Sequence, residues 1–294
     1  MNLLDHLFQL DRQATRGDHL HFRFFEWFVA AYTVHFAWTW GLYIPRIDSV
    51  VLPLGIARYI DVSFLFSNGL SLVNAALITV LVTAGLLARV RWSYFAAFLL
   101  LHLQYAARYS LGEISHGSNM LGFSLLGLAL AYLLFQKTDE RRRFALGFTW
   151  FFIGLAYTSA GISKLIGTGP TWASGHHLWL WIHERGVDVL AGEGVFGLNI
   201  FQELLLGNWW LATAVLTFGW LTEAGGFLLW WRPTRSFITT ALIGMHLGIG
   251  GSMNLYFTQF MLELLVIGYP WPPLIDKVLE SMENKPSLSY RARS

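Results

Sequence analysis

Cysteine is absent from the 294 residues, which excludes disulfides, thiolate metal sites and cysteine nucleophiles. Charge is scarce as well. Asp, Glu, Lys and Arg make up 13% of the chain, about half the share usual in a soluble domain (about 25%). A net charge of +2 is too small to recruit nucleic acid. The first residues, M-N-L-L-D-H-L-F-Q-L-D-R-Q, are acidic and lack a clean apolar core before a small-residue cleavage site, so no removable signal peptide is expected. What the chain has in abundance is apolar surface: 55% hydrophobic residues, 14 Trp and 23 Phe, with mean hydropathy +0.48. Such a composition calls for a lipid bilayer as partner, with aromatic side chains at its two interfaces.

Apolar runs able to span the hydrocarbon core, at about 20 residues each, lie near 23–45, 69–89, 92–109, 117–136, 144–165, 209–231, 235–252 and 253–270. The expectation is an all-α integral membrane protein, a bundle of about eight transmembrane helices. A shorter piece at 49–66, with Pro53, Arg58 and Asp61, is expected to be re-entrant or interfacial. The connection 166–208 is a long extracytoplasmic loop, part of which, near 176–190, suits an amphipathic helix on the membrane. One membrane domain over 1–275 and a polar, partly disordered cytoplasmic tail over 276–294 complete the division. Basic residues occupy three short loops: Arg89 and Arg91, Lys137 with Arg141 to Arg143, and Arg232 with Arg235. With eight spans all three fall on one side together with both termini, and the positive-inside rule makes that side cytoplasmic.

The stretch Y-T-S-A-G-I-S-K-L-I-G-T-G-P-T-W-A-S-G, 157–175, then ends on the outward side. At helical spacing Tyr157, Gly161 and Lys164 share a face. Lys164 is either an anchor that snorkels to the headgroups or a reactive amine facing a pocket. Other ionisable groups sit deep in spans: His35, His102, Glu223, His246 and Glu263. Each is costly in hydrocarbon unless it faces the interior and finds a partner. His102, Tyr105 and Tyr109 form one stripe with Arg108 beside it, and the last hairpin carries His246, Asn254, Gln259 and Glu263. Interhelical hydrogen bonding explains a lone intramembrane His or Gln as well as chemistry does. His176, His177 and His183 lack the i, i+4 pairing of a helical zinc site, so no metal is expected.

A-G-I-S-K-L at 160–165 and T-W-A-S-G at 171–175 resemble the membrane motif of vitamin K-dependent gamma-carboxylase and the wider HTTM (horizontally transferred transmembrane) family. Glu223, the Arg232–Arg235 loop, His246 with M-N-L-Y-F-T-Q-F-M, and I-S-H-G-S-N-M-L at 114–121 are similar to the same family in order and spacing. The resemblance implies Lys164 as the base that starts oxygenation of a reduced quinone, with His116 assisting. Its cofactors are a vitamin K hydroquinone-like quinol, dioxygen and, if carboxylation occurs, carbon dioxide. His102, Tyr105, Arg108, Tyr157, Trp172, Glu223, His246, Asn254 and Gln259 are the expected pocket residues. This chain has Ser163–Lys164 where the carboxylase has paired lysines, and it lacks the large lumenal region that binds the protein substrate. Two alternatives stand beside the quinol-dependent lyase or oxidoreductase. One is a non-catalytic protein that binds or matures a secreted peptide or a separate extracytoplasmic protein. The other is a transporter with His102, Glu223 and Glu263 as relay groups.

Overall fold

The computed structural model describes residues 2–46, 52, 54–112, 119–195 and 197–284, and no strand occurs among them. Four helices are long and apolar enough to cross a membrane: Leu70–Ala88, Thr138–Ala173, Trp209–Trp230 and Arg232–Met253. Every long apolar run of the sequence contains a helix, but the run at 253–270 holds only the 11 residues Thr258–Gly268. In chain order the α-helices are α1 (Leu3–Phe8), α2 (Arg16–Tyr43), α3 (Leu70–Ala88), α4 (Ser93–Tyr109), α5 (Asn119–Leu134), α6 (Thr138–Thr168), α7 (Gly175–Glu193), α8 (Ile200–Gly207), α9 (Trp209–Ala224), α10 (Arg232–Met253), α11 (Thr258–Gly268) and α12 (Trp271–Glu283).

Local signals set the helix starts. Asn2 with Asp5, Thr15 with Asp18 and Asn199 with Gln202 form reciprocal capping boxes at α1, α2 and α8. The main core runs through α2 to α6, α10 and α11, with Phe25, Trp40, Tyr94 and Ile153 among its fully buried side chains. A second, smaller core gathers Leu178, Ile182, Leu205 and Leu216 from α7, α8 and α9. The expected long loop is therefore mostly helix, docked on α9 and α10. The described part of the 49–66 piece forms two short 3-10 turns, Gly55–Arg58 and Ser63–Phe66, against the ends of α3 and α4.

One end of the bundle collects the basic loops and both described termini. Arg232 pairs with Asp11 at 2.5 Å, Arg142 with Asp18 at 3.2 Å, and Arg16 with Glu283 at 2.5 Å. Expected disorder after 275 does not extend to α12, which packs across the start of α2; the Gly17 N–H donates to Asp276 Oδ1 at 2.7 Å. The 275/276 boundary thus falls inside this helix. Because α10 leaves the basic end and α12 docks back on it, residues 254–270 carry the chain home. The 11 residues of α11 cover only about 16 Å at helical rise. Residues 254–257 precede it outside any helix, Asn254 in a left-handed conformation.

α6 and α9 meet closely enough that side chains would not fit between them. A Cβ on Gly161 would lie 2.5 Å from the Ala224 backbone nitrogen, and one on Gly226 would lie 2.5 Å from the Tyr157 Cβ. Here α9 tightens into a 3-10 turn, Gly225–Trp230, as two successive glycines allow. Trp220 Nε1 donates to the Gly161 carbonyl at 3.0 Å, and Trp230 Nε1 to the Phe151 carbonyl at 3.1 Å.

Gly161→Val should force these backbones apart and cost about 1–3 kcal/mol, read as a lowered unfolding midpoint in detergent; an unchanged midpoint would show that the contact is slack. The Thr15 hydroxyl, followed by the Gly17 N–H, holds the Asp276 carboxyl below its ordinary value of 3.8. A depressed carboxyl stabilises docking above its unfolded value and loses that contribution as pH falls through the folded one. The protection of α12 amides, taken relative to the intrinsic exchange rate at each pH, should then be flat from pH 8 to about 5 and fall only below about 4, and Asp276→Asn should abolish that fall.

Candidate functional site

The last two turns of α6, the 3-10 turn Gly169–Ala173, α7, α9 and α10 enclose a cavity of about 440 Å³. This lies within the size range of small-molecule sites. Its walls are largely apolar, from Trp172, Trp181, Leu216 and Met245, and its polar groups are Lys164, Glu184, Arg185, Glu223 and Ser252. Lys164 lines this cavity and has two partners there. Lys164 Nζ is ion-paired with Glu223, and it stands 4.9 Å from the centre of the Trp172 ring. The two side chains retain 27% and 13% of their exposure, so the pair lines the cavity without being sealed from it. Lys164 lies one turn beyond Gly161, and Glu223 immediately precedes Ala224, the residue Gly161 touches. The pair is therefore a consequence of the close α6–α9 contact.

Two turns deeper on the same α6 face, the Tyr157 hydroxyl meets His246 Nε2 at 2.6 Å. His246 is buried, its ring packs between Phe257 and Phe260, and its Nδ1 has no hydrogen-bond partner among the described residues. Glu263 on α11 is 2% exposed and accepts from the Ser124 hydroxyl of α5.

Not every expected pocket residue reaches this cavity. His102 and Tyr105 border a separate apolar cavity of about 360 Å³ with Trp40 and Phe123. Phe98, His102, Tyr105 and Tyr109 stack along α4 with neighbouring centroids 6.1 to 6.2 Å apart. Spacing on one helix had grouped these residues correctly with each other, but it carried no information about which other helix α4 faces. His35 and His102, expected to turn inward, lie exposed on the bundle surface against aromatic neighbours. Arg108 lies over the rings of Trp40 and Tyr43 at 5.3 and 5.4 Å. Asn254 closes α10 in a left-handed conformation, its N–H donating to the Gly250 carbonyl at 3.0 Å. Gln259 is half-buried on α11, and neither residue lines the cavity. His116 lies outside the described residues.

The three histidines of α7 are occupied locally: His177 Nδ1 meets the Trp172 carbonyl at 2.9 Å, His183 Nδ1 meets the Trp179 carbonyl at 2.8 Å, and His176 packs on Trp209. Among the described residues no cluster of three His, Asp or Glu could hold a metal ion. Glu184, Arg185, Trp181 and Met245 line the cavity but were not among the expected pocket residues. Only the helical reading near 176–190 pointed toward the first three, and nothing pointed to the last.

No protein-family model, no curated protein and no solved structure matches this chain. The likeness to the HTTM family therefore stands on the motifs alone.

A double-mutant cycle on Lys164→Met and Glu223→Gln should give a coupling of about 1–3 kcal/mol, since either single change strands the opposite charge against an apolar wall. Additive losses in thermal or denaturant unfolding would mean that the two charges are solvated independently.

Proposed function

We propose that the chain is a multi-pass membrane protein whose outward cavity binds a lipid-soluble, hydroxyl-bearing ring and exchanges a proton with it. The observation that carries this reading is the Lys164–Glu223 pair set into an aromatic and aliphatic wall. A flat ring suits the walls, since Trp172 and Trp181, packed on each other, present aromatic surface and Met245 an adaptable one. The pair offers a ring hydroxyl both an acceptor and a donor at one spot. Glu223 Oε takes the hydroxyl proton, and Lys164 Nζ donates to the same oxygen. This assignment modifies the expectation of a lone lysine base: the paired carboxylate is the proton acceptor, and the ammonium is the electrostatic stabiliser. A reduced quinone, when bound, supplies the electrons for reaction with dioxygen. The residues fit such a group at its polar edge. They say nothing about carbon dioxide, so carboxylation is not part of the proposal.

The proposed topology sets the basic end in the cytoplasm and the cavity toward the opposite face. The proposed crossings are α2, α3, α4, α5, α6, α9, α10, and α11 together with residues 254–257. α2 supports this by its 28 residues, although Trp, Tyr and His lower its hydropathy. An even number of crossings keeps α1 and α12 on one side.

A second reading, contact with a secreted peptide or extracytoplasmic protein, draws support from exposed Trp179, Leu180, Val187 and Ile200 on α7 and α8. Chain purified from membranes should release a quinone into organic solvent, visible by its ultraviolet spectrum. Added quinol should quench tryptophan fluorescence, and Lys164→Met and Glu223→Gln should weaken that binding at least about tenfold, the ratio for one lost charge-assisted contact. Absence of both extractable quinone and quenching would discard the quinol reading and leave the partner-binding one.

A further inference from the structure

The opposite, basic end of the bundle contains a cation whose charge has no acidic partner among the described residues. Arg235, in the first turn of α10, is 7% exposed. Its guanidinium lies over the Trp150 ring at 3.5 Å, with Nε donating to the Leu229 carbonyl at 2.9 Å and Nη2 to the His6 carbonyl at 3.2 Å. Carbonyl oxygens satisfy hydrogen bonds but bring no net charge. Among the described residues no carboxylate is ion-paired with it. A guanidinium removed from water without a counter-charge is among the costliest groups a fold can carry.

Arg235 opens onto a cavity of about 200 Å³ that it shares with Arg12, Arg232, His21 and Asp18. The acids here are already engaged. Asp18 pairs with both Arg12 and Arg142, and Asp11 with Arg232. Arg232 also keeps its Nε buried without a hydrogen-bond partner among the described residues. The cavity therefore has an excess of positive charge and unused donors. Its rim is formed by Pro270 and Pro272, which lead directly into α12. That helix exposes Leu274, Val278 and Met282, spaced four residues apart along one side, as a helix lying in a membrane interface does.

We propose that this cavity is an anion site that takes the phosphate of an acidic phospholipid headgroup, with Arg235 supplying the missing half of an ion pair and Arg12 and Arg232 flanking it. The interfacial stripe of α12 places acyl chains beside the opening, which favours a lipid over free phosphate. The site is independent of the cavity at Lys164, at the other end of the bundle.

The test uses the full chain in detergent with three probes: phosphatidylglycerol, phosphatidylcholine and inorganic phosphate, read by native mass spectrometry and by the unfolding midpoint. Phosphatidylglycerol should be retained over phosphatidylcholine and should raise the midpoint. Arg12→Gln and Arg232→Gln should each reduce that preference about fivefold, the ratio expected for one basic side chain at an anionic headgroup. Arg235→Lys, which keeps the charge but loses the planar fork, should weaken binding in a chain that still folds. Millimolar phosphate that matches the lipid's midpoint shift and displaces it would confirm the anion site and overturn the lipid as its occupant. Equal retention of the two lipids, or a phosphatidylglycerol preference unchanged in all three variants, would overturn the site itself.

Discussion

The contact that the rest depends on is the approach of the α6 backbone to that of α9 and the 3-10 turn after it. Between helices surrounded by lipid there is little hydrophobic force to exploit, so association relies on close van der Waals contact and interhelical hydrogen bonds. Gly161 and Gly226 allow the first, while Trp220, Trp230 and Thr158 provide the second by bonding across the seam. Once Gly161 is seated on Ala224, the register is set within a fraction of a turn. Lys164 can then reach Glu223, and Tyr157 faces α10 at His246. The polar groups of the site are thus arranged by residues that carry no side chain at all.

The two ends of the bundle handle charge differently. At the basic end, arginines are pinned by carboxylates and by helix-end carbonyls: Arg142 joins Asp18, Asp139 and Gln9, and Arg91 donates to the Tyr132 and Leu133 carbonyls. These contacts tie the end of α1, α2 and α6 together and fasten the α3–α4 connection to the end of α5, so the basic residues hold helices in place. At the other end the Lys164–Glu223 pair lies in a largely apolar wall, with Glu184 and Arg185 also lining the cavity. Such segregation leaves one end rigidly crosslinked and the other open to a ligand.

Much of the architecture was legible in the sequence. Apolar runs gave the helices because span length and side-chain character are local properties, and the three basic loops do share one end. The Tyr157–Gly161–Lys164 face was legible for the same reason, since helical period depends on one element alone. The partner of Lys164 was not legible. Glu223 stood out as an ionisable group in an apolar run, but pairing it with a lysine 59 positions earlier requires knowing which helices touch. His102 and Tyr105 show the converse error: grouped with the Lys164 pocket by chemistry, they belong to α4 and border another cavity. The 166–208 connection was underestimated because its glycines and mixed charges suggest a loop. Its apolar face, Leu178, Ile182 and Gly186, is buried against α9 and the neighbouring turns.

Pairing also changes what the lysine is suited to do. A solitary amine in an apolar wall avoids the cost of charge by giving up its proton, which is the logic behind a lone lysine base. An ammonium beside a carboxylate has a different economy: the two together are neutral, and neutrality is what a low-dielectric wall tolerates. A proton moved from a neutral ring hydroxyl to Glu223 leaves the total charge of the site unchanged. The negative charge shifts from one oxygen to another beside the same ammonium, so little new charge separation has to be stabilised. Ser163 stands where the resembling family has its second lysine, and its hydroxyl is turned back to the Ala160 carbonyl at 2.9 Å. With that amine missing, the balancing group at this site is a carboxylate from another helix. Glu223, the proposed proton acceptor, and its counter-charge Lys164 thus sit on opposite sides of the α6–α9 seam, and any motion that opens the seam separates them.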